Sequence, residues 1–197
     1  MTSGRVVVAG VGNIFLGDDG FGVEVARELA GVALPAGVEV IDVGVRGVHL
    51  AYDLLDGCDL LILVDTAARG APPGTVSLLE AHPGVAPAGA PLIDPHSLAP
   101  DDVLALLRRL GGQPARTLVV ACEPADLGAG MELSAPVRAA VPEAVRLVEA
   151  ILEEAGDASN TDQGSAGRSG RDPADPVAPG HPAVRGDVTN VRTSADA

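Results

Sequence analysis

The chain has 197 residues, 47% of them hydrophobic, and its thirteen arginines, with no lysine, oppose 27 acidic residues for a formal net charge of -14. That acidity argues against nucleic acid or an anionic membrane as partner, and 2% aromatic residues with no tryptophan argue against base-stacking platforms. The length suits one domain with a full hydrophobic core. Cys58 and Cys122 lie far apart, each in or beside an apolar run, and read as buried thiols of a reducing compartment. No signal-peptide core and no apolar window of ~20 residues occurs, so the expected setting is soluble and cytoplasmic.

In chain order, Arg5-Val6-Val7-Val8-Ala9 is a short β-branched run, followed by a segment from Gly10 to Gly22 in which glycines surround Asp18 and Asp19. Phe21 to Ala30 then has helical spacing, so the unit reads as strand, shaped loop, helix. The dinucleotide fingerprint G-x-G-x-x-G fails at Phe15. Gly12 and Gly17 have phosphate-loop spacing, but the two aspartates stand where lysine and a hydroxyl residue belong and repel phosphate. A cation is their natural partner; the alternative is that they only charge a helix N-terminus.

Val38 to Val43 reads as a second strand, Gly44 and Gly47 as a turn, and Val48 to Leu55 as a short helix carrying His49, taken as a structural histidine. Leu60-Leu61-Ile62-Leu63-Val64 is an uninterrupted apolar run, expected of a strand covered on both faces, with Asp65 at its end. Pro72-Pro73-Gly74 is a turn and Thr75 to Leu79 a fourth strand. The link between the third and fourth strands is shorter than the dozen or so residues of a parallel crossover, which predicts an antiparallel edge. A loop from His82 to Pro95 leads to His96 and Ser97, ahead of a helix from Pro100 to Leu110. Thr117 to Ala121 is the last strand, Cys122 to Leu133 a loop, and Pro136 to about Glu154 a helix interrupted or bent at Pro142. From Gly156 to Ala197, Gly, Pro, Ser, Asp and Arg dominate without hydrophobic periodicity, predicting a disordered tail. The expected organisation is a domain over 1–155 and a tail over 156–197. Alternating strands and helices predict a three-layer α/β/α sandwich with a mostly parallel sheet of about five strands and one antiparallel edge.

Ligands of such sheets collect at the carboxyl ends of the strands. That rule selects Asp18 and Asp19 after the first strand, Asp65 at the end of the third, and His96 after the fourth: an open nitrogen and oxygen site for a divalent transition metal. Each has a plainer reading, as a turn, cap or surface residue. Glu123 before Pro124 either fixes the loop after the last strand or lines a groove, and Met131 and Glu132 form either a mobile lip or a turn. Ser97 and Ser134 lack a G-x-S-x-G setting and neither cysteine has a histidine beside it in sequence, which argues against nucleophilic catalysis.

Gly10-Val11-Gly12-Asn13 with Gly17-Asp18-Asp19-Gly20-Phe21-Gly22 resembles the hallmark of the nickel-iron hydrogenase maturation endopeptidases. Leu63-Val64-Asp65, Pro73-Gly74-Thr75, Pro95-His96-Ser97-Leu98, Cys122-Glu123-Pro124 and Gly130-Met131-Glu132-Leu133-Ser134 agree with that family's pattern in order and spacing, over roughly Val6 to Glu154. The resemblance implies a metal triad of Asp19, Asp65 and His96. It makes Asp18 a supporting or helix-start residue and leaves Gly12, Asn13, Gly17 and Gly20 to shape the loop. It implies an endopeptidase that removes the C-terminal extension of a nickel-iron hydrogenase large-subunit precursor after nickel insertion. The precursor's own nickel is then the recognition element, no nucleotide is used, and no catalytic residue is singled out. Some members carry glutamate where Asp19 stands, and the family's threonine in the glycine turn near Gly44 is replaced by Val45 or Arg46. A noncatalytic metallochaperone or precursor-binding module using the same open site is the competing expectation, and a nucleotide-binding α/β protein the third.

Overall fold

The computed structural model describes residues 4–81 and 100–162. The predicted strands form β1 (Val6–Val11), β2 (Val38–Gly44), β3 (Leu60–Thr66), β4 (Val76–Glu80) and β5 (Arg116–Cys122), and the helices are α1 (Phe21–Leu29), α2 (Gly47–Asp53), α3 (Pro100–Arg109) and α4 (Ala135–Asp162). They make one sheet in the order β2-β1-β3-β5-β4. All neighbours are parallel except β4, which runs antiparallel to β5 at the edge. The short β3 to β4 link thus has the consequence expected of it, with β5 inserted between the two strands.

Period-two alternation sorts the strand residues onto two faces. Val8, Leu60, Ile62, Val64, Leu118 and Val120 pack with Phe21, Val25 and Leu29 of α1 and with Val137 to Leu152 of α4. Val7, Ala9, Val11, Leu61 and Leu63 face the other way, onto Leu50 and Ala51 of α2 and Val103, Leu104 and Leu107 of α3. The result is the expected three-layer sandwich. Each fully buried Leu, Ile or Val contributes about 1.5–3 kcal/mol, and β3 is buried from Leu60 through Asp65. Among the described residues no helix is long and apolar enough to cross a membrane.

Several boundaries differ from expectation. Cys122 belongs to β5 and not to the following loop, because it pairs with Thr66 of β3 and Val76 of β4. Within the first loop, Gly17–Gly20 forms a 3-10 turn ahead of α1. Helix α4 runs unbroken through Pro142, whose side is exposed, so water can satisfy the Arg138 carbonyl that proline leaves without its helical donor. It also continues through 156–162, seven residues into the stretch assigned to the tail, since one helical glycine costs only about 1 kcal/mol. His49 is exposed on α2, not enclosed by the apolar residues around it. The remainder of the tail and the segment 82–99, with His82, His96 and Ser97, lie outside the described residues.

Both cysteines are free and buried. Burial pushes the Cys58 thiol above its ordinary value; at Cys122, burial and the negative charges of Asp18, Glu143 and Glu123 push it up to about 12. With so little thiolate available, the native protein at pH 8 should release less than one equivalent of thionitrobenzoate from Ellman's reagent over an hour, and two once guanidinium is added. Two rapid equivalents without denaturant would contradict this packing.

Candidate active site

The sheet changes direction at β1, with β2 on one side and β3 on the other, and Gly10 stands opposite Val64. The segment after β1 and Asp65 near the end of β3 therefore emerge side by side at the crevice where α/β sheets take their ligands. The loop after β1 folds back on itself. The Asn13 N–H donates to Asp19 Oδ2 at 2.7 Å, and the Phe15 N–H donates to Asn13 Oδ1 at 3.0 Å. Gly12 has φ 130°, and a Cβ there would lie 1.8 Å from the Asp19 carbonyl oxygen. Only glycine lets the loop close this tightly.

The loop is clamped to the sheet by Gly22, which the motif alone gives no role. A Cβ on Gly22, in the first turn of α1, would lie 2.1 Å from the Val64 carbonyl oxygen and 2.3 Å from that of Val11, so its absence lets the helix start rest on β1 and β3. Gly20 differs: the nearest atom to its Cβ position is 3.4 Å away, and the loop's shape does not depend on it.

Asp65 is 8% exposed and accepts the Thr66 N–H through Oδ1 at 2.7 Å. Thr66 Oγ1 lies 3.4 Å from Asp19 Oδ1 and donates to it. Burial pushes the Asp65 carboxyl up to about 7 against the Thr66 N–H, and the charge of Asp19 adds to the rise. Two carboxylates thus lie close together at the β1/β3 crevice, a combination that favours uptake of positive charge. The donor set is oxygen-rich and fits a divalent metal when an imidazole completes it. Among the described residues no third His, Cys, Asp or Glu joins the pair; His96 lies outside them.

Asp18 does something else. It is fully buried and caps no helix. Its Oδ2 accepts the N–H groups of Ala125 and Asp126, each at 2.8 Å, and the Ser134 hydroxyl at 2.9 Å, while Oδ1 accepts the Ser134 N–H at 2.6 Å. Burial alone raises its pKa, but the donors from Asp126, Ser134 and Ala125 outweigh it and hold the carboxyl below its ordinary value. Asp18 therefore ties the glycine loop to the loop after β5, more than a hundred residues away. The Ser134 hydroxyl is taken up in holding Asp18, whose carboxyl, kept below its ordinary value by its donors, is a poor base for activating it.

Backbone bonds complete that tie: Gly17 N–H to Gly130 O at 2.9 Å, Gly130 N–H to Phe15 O at 3.0 Å, and Asp18 N–H to Asp126 O at 2.9 Å. They bring together two loop tips with exposed apolar residues, Phe15, Leu16, Leu127 and Met131, the last 71% exposed. Glu132 is exposed and pairs with Arg138 at 3.3 Å. Glu123 is buried, and its carboxylate accepts the N–H groups of Arg69 and Gly70 at 2.8 and 3.0 Å. Those bonds hold it below the ordinary glutamate value and fix the loop after β3, a structural role as one of its two readings had it, but on a different loop from the one after the last strand.

A profile of the hydrogenase maturation protease family matches residues 23–151. The matched stretch contains Asp65 and begins after Asp19. The chain is 32% identical over 167 residues to the hydrogenase expression/formation protein HupM of Azotobacter chroococcum mcd 1, covering 84% of this chain and 79% of that one. It is 33% identical over 153 residues to the hydrogenase 2 maturation protease of Escherichia coli strain K12, covering 77% and 93%. The solved structure of the hydrogenase maturating endopeptidase HybD from E. coli superposes with a TM-score of 0.65 at 32% identity, over 77% of this chain and 94% of that one.

Proposed function

Because the chain belongs to the hydrogenase maturation protease family, and is therefore a peptide-bond hydrolase, we propose that it acts on a nickel-iron hydrogenase large-subunit precursor. The reaction is removal of the C-terminal extension once nickel has been inserted, with the precursor's nickel as the recognition element. The observation that carries this reading is the Asp19 and Asp65 pair at the sheet's switch point, with Asp65 buried, Asp19 half-buried, and the charge of Asp19 helping to raise the Asp65 carboxyl. Nickel belongs to the substrate here. Asp19 and Asp65, with His96 as the nitrogen donor, would hold it at the crevice, and the metal when bound supplies charge that a carboxylate pair attracts.

The chain's own residues do the rest. Gly12 and Gly22 permit the close approach that sets Asp19 beside Asp65, and Asp18 fixes the second loop against the first. Met131 and the neighbouring apolar tips offer a lip on which the precursor rests, with Glu132 at its margin; Glu123 acts from behind, by fixing the loop after β3. Membership of a protease family sets aside the noncatalytic expectation, which differs in leaving the precursor intact.

Mass spectrometry separates the two. Nickel-loaded precursor should lose one C-terminal peptide on incubation with the protein; a precursor of unchanged mass would favour a binding module. The lip has its own test. Met131→Glu should raise KM for the precursor about tenfold, the equivalent of 1.4 kcal/mol, with kcat within twofold, since the side chain is solvent-exposed and bears no load in the fold. An unchanged KM would move the docking surface elsewhere.

A further inference from the structure

Thr66 lies between the two carboxylates and uses both of its donors on them. It is the last residue of β3, half-buried, and paired with Cys122 of β5; the next residue, Ala67, donates its N–H to the Cys122 carbonyl at 2.9 Å. Its backbone is therefore fixed on both sides. From that position its N–H donates to Asp65 Oδ1 at 2.7 Å and its Oγ1 to Asp19 Oδ1 at 3.4 Å. The other oxygen of Asp19 accepts the Asn13 N–H at 2.7 Å. Asp19 is held at both oxygens, once from its own loop and once from β3.

We propose that Thr66 is a positioning residue that keeps Asp19 turned toward Asp65, so that the two carboxylates present themselves to one metal. The inference rests on the functional reading above. Like charges across a crevice repel, and Asp19 is only half-buried, so while Asn13 holds Oδ2 the Thr66 hydroxyl keeps Oδ1 from turning away from Asp65. Threonine suits the task because branching at Cβ restricts χ1, leaving the hydroxyl few directions to take. The hydroxyl contact, at 3.4 Å, is longer than the usual O–H···O separation of about 2.7–2.8 Å. Groups that orient metal ligands in this way typically affect metal affinity about 10- to 100-fold.

Thr66→Val keeps the branch and the backbone N–H but replaces the hydroxyl by a methyl group; Thr66→Ser restores the hydroxyl without the branch. The purified full chain is titrated with nickel(II) chloride alone by calorimetry, and the same proteins are assayed on nickel-loaded precursor. Thr66→Val should bind nickel about 10- to 100-fold more weakly than wild type and show a raised KM with kcat within threefold, while Thr66→Ser stays within about threefold of wild type in affinity. Both should melt close to the wild-type temperature. Wild-type nickel affinity in Thr66→Val, no measurable affinity in the wild type, or a serine variant as weak as the valine one would overturn the assignment. Failure of the wild type to shorten the precursor, with the valine effect on nickel affinity intact, would instead strike the functional reading and leave the positioning role standing.

Discussion

Asp65→Asn should leave the protein folded, raise its melting temperature at pH 8, and stop precursor processing. The two effects have one origin. The Asp65 carboxyl is buried beside Asp19, which pushes it up to about 7 from its ordinary 3.8. The native state thus holds that proton more tightly than the unfolded chain, and stability falls as pH rises from about 4 to about 7, with the full penalty present above 7. Asparagine is nearly isosteric, still accepts the Thr66 N–H, and carries no charge. Its gain should be about 1–2 kcal/mol at pH 8, roughly 3–6 °C in Tm for a domain of this size, and should disappear near pH 4. Processing should fall on the order of 10³-fold, since a lost metal contact forfeits several kcal/mol. Melting curves at pH 4 and pH 8 with turnover on nickel-loaded precursor check both halves. An asparagine variant that is active, or less stable at pH 8 than at pH 4 relative to wild type, would contradict the account.

The neighbouring carboxylate carries the opposite sign. Asp18→Ala removes the acceptor for three backbone N–H groups and the Ser134 hydroxyl in a fully buried place. Leaving such donors without a partner should cost about 3–5 kcal/mol, roughly 10 °C or more in Tm. Because the folded pKa of Asp18 is depressed, the stability it supplies is present at and above neutral pH and is lost only as pH falls through its folded value. Thermal melts at pH 7 should therefore separate the adjacent aspartates: Asp18→Ala unfolds early, and Asp19→Ala, whose side chain is half-buried, melts within a few degrees of wild type while failing to process. Equal Tm values for the two would show that Asp18 does not tie the loops.

That contrast also marks what a linear sequence discloses. The strands, the parallel order and the antiparallel edge follow from apolar runs and link lengths, which are local quantities. Strand ends are where sheet ligands gather, which selects Asp18, Asp19 and Asp65 together; the choice of Asp19 over Asp18 is what the family resemblance implies. The partners of Asp18 are 107–116 residues away; no spacing rule reaches that far, and the family pattern marks only that the residue is a supporting one. Glu123 kept two roles open in the sequence for the same reason, until its bonds to Arg69 and Gly70 put it behind the β3 loop. Gly22 was visible as part of a motif, but its contact with the Val64 carbonyl depends on how α1 lies on the sheet. Thr66 drew no notice beside Asp65, although a β-branched hydroxyl residue directly after a strand-end carboxylate was the signal available. The end of α4 was misplaced because composition registers Gly156 as a breaker, while a helix already anchored by Val148, Ile151 and Leu152 continues past a single glycine at small cost.

The central claim, that the Asp19 and Asp65 pair reads nickel in the precursor before the chain is cut, is tested most directly by mass spectrometry. Matched nickel-loaded and nickel-free large-subunit precursors are incubated with the wild-type protein. The account predicts that only the nickel-loaded precursor is shortened. Shortening of the nickel-free precursor at the same rate would contradict it.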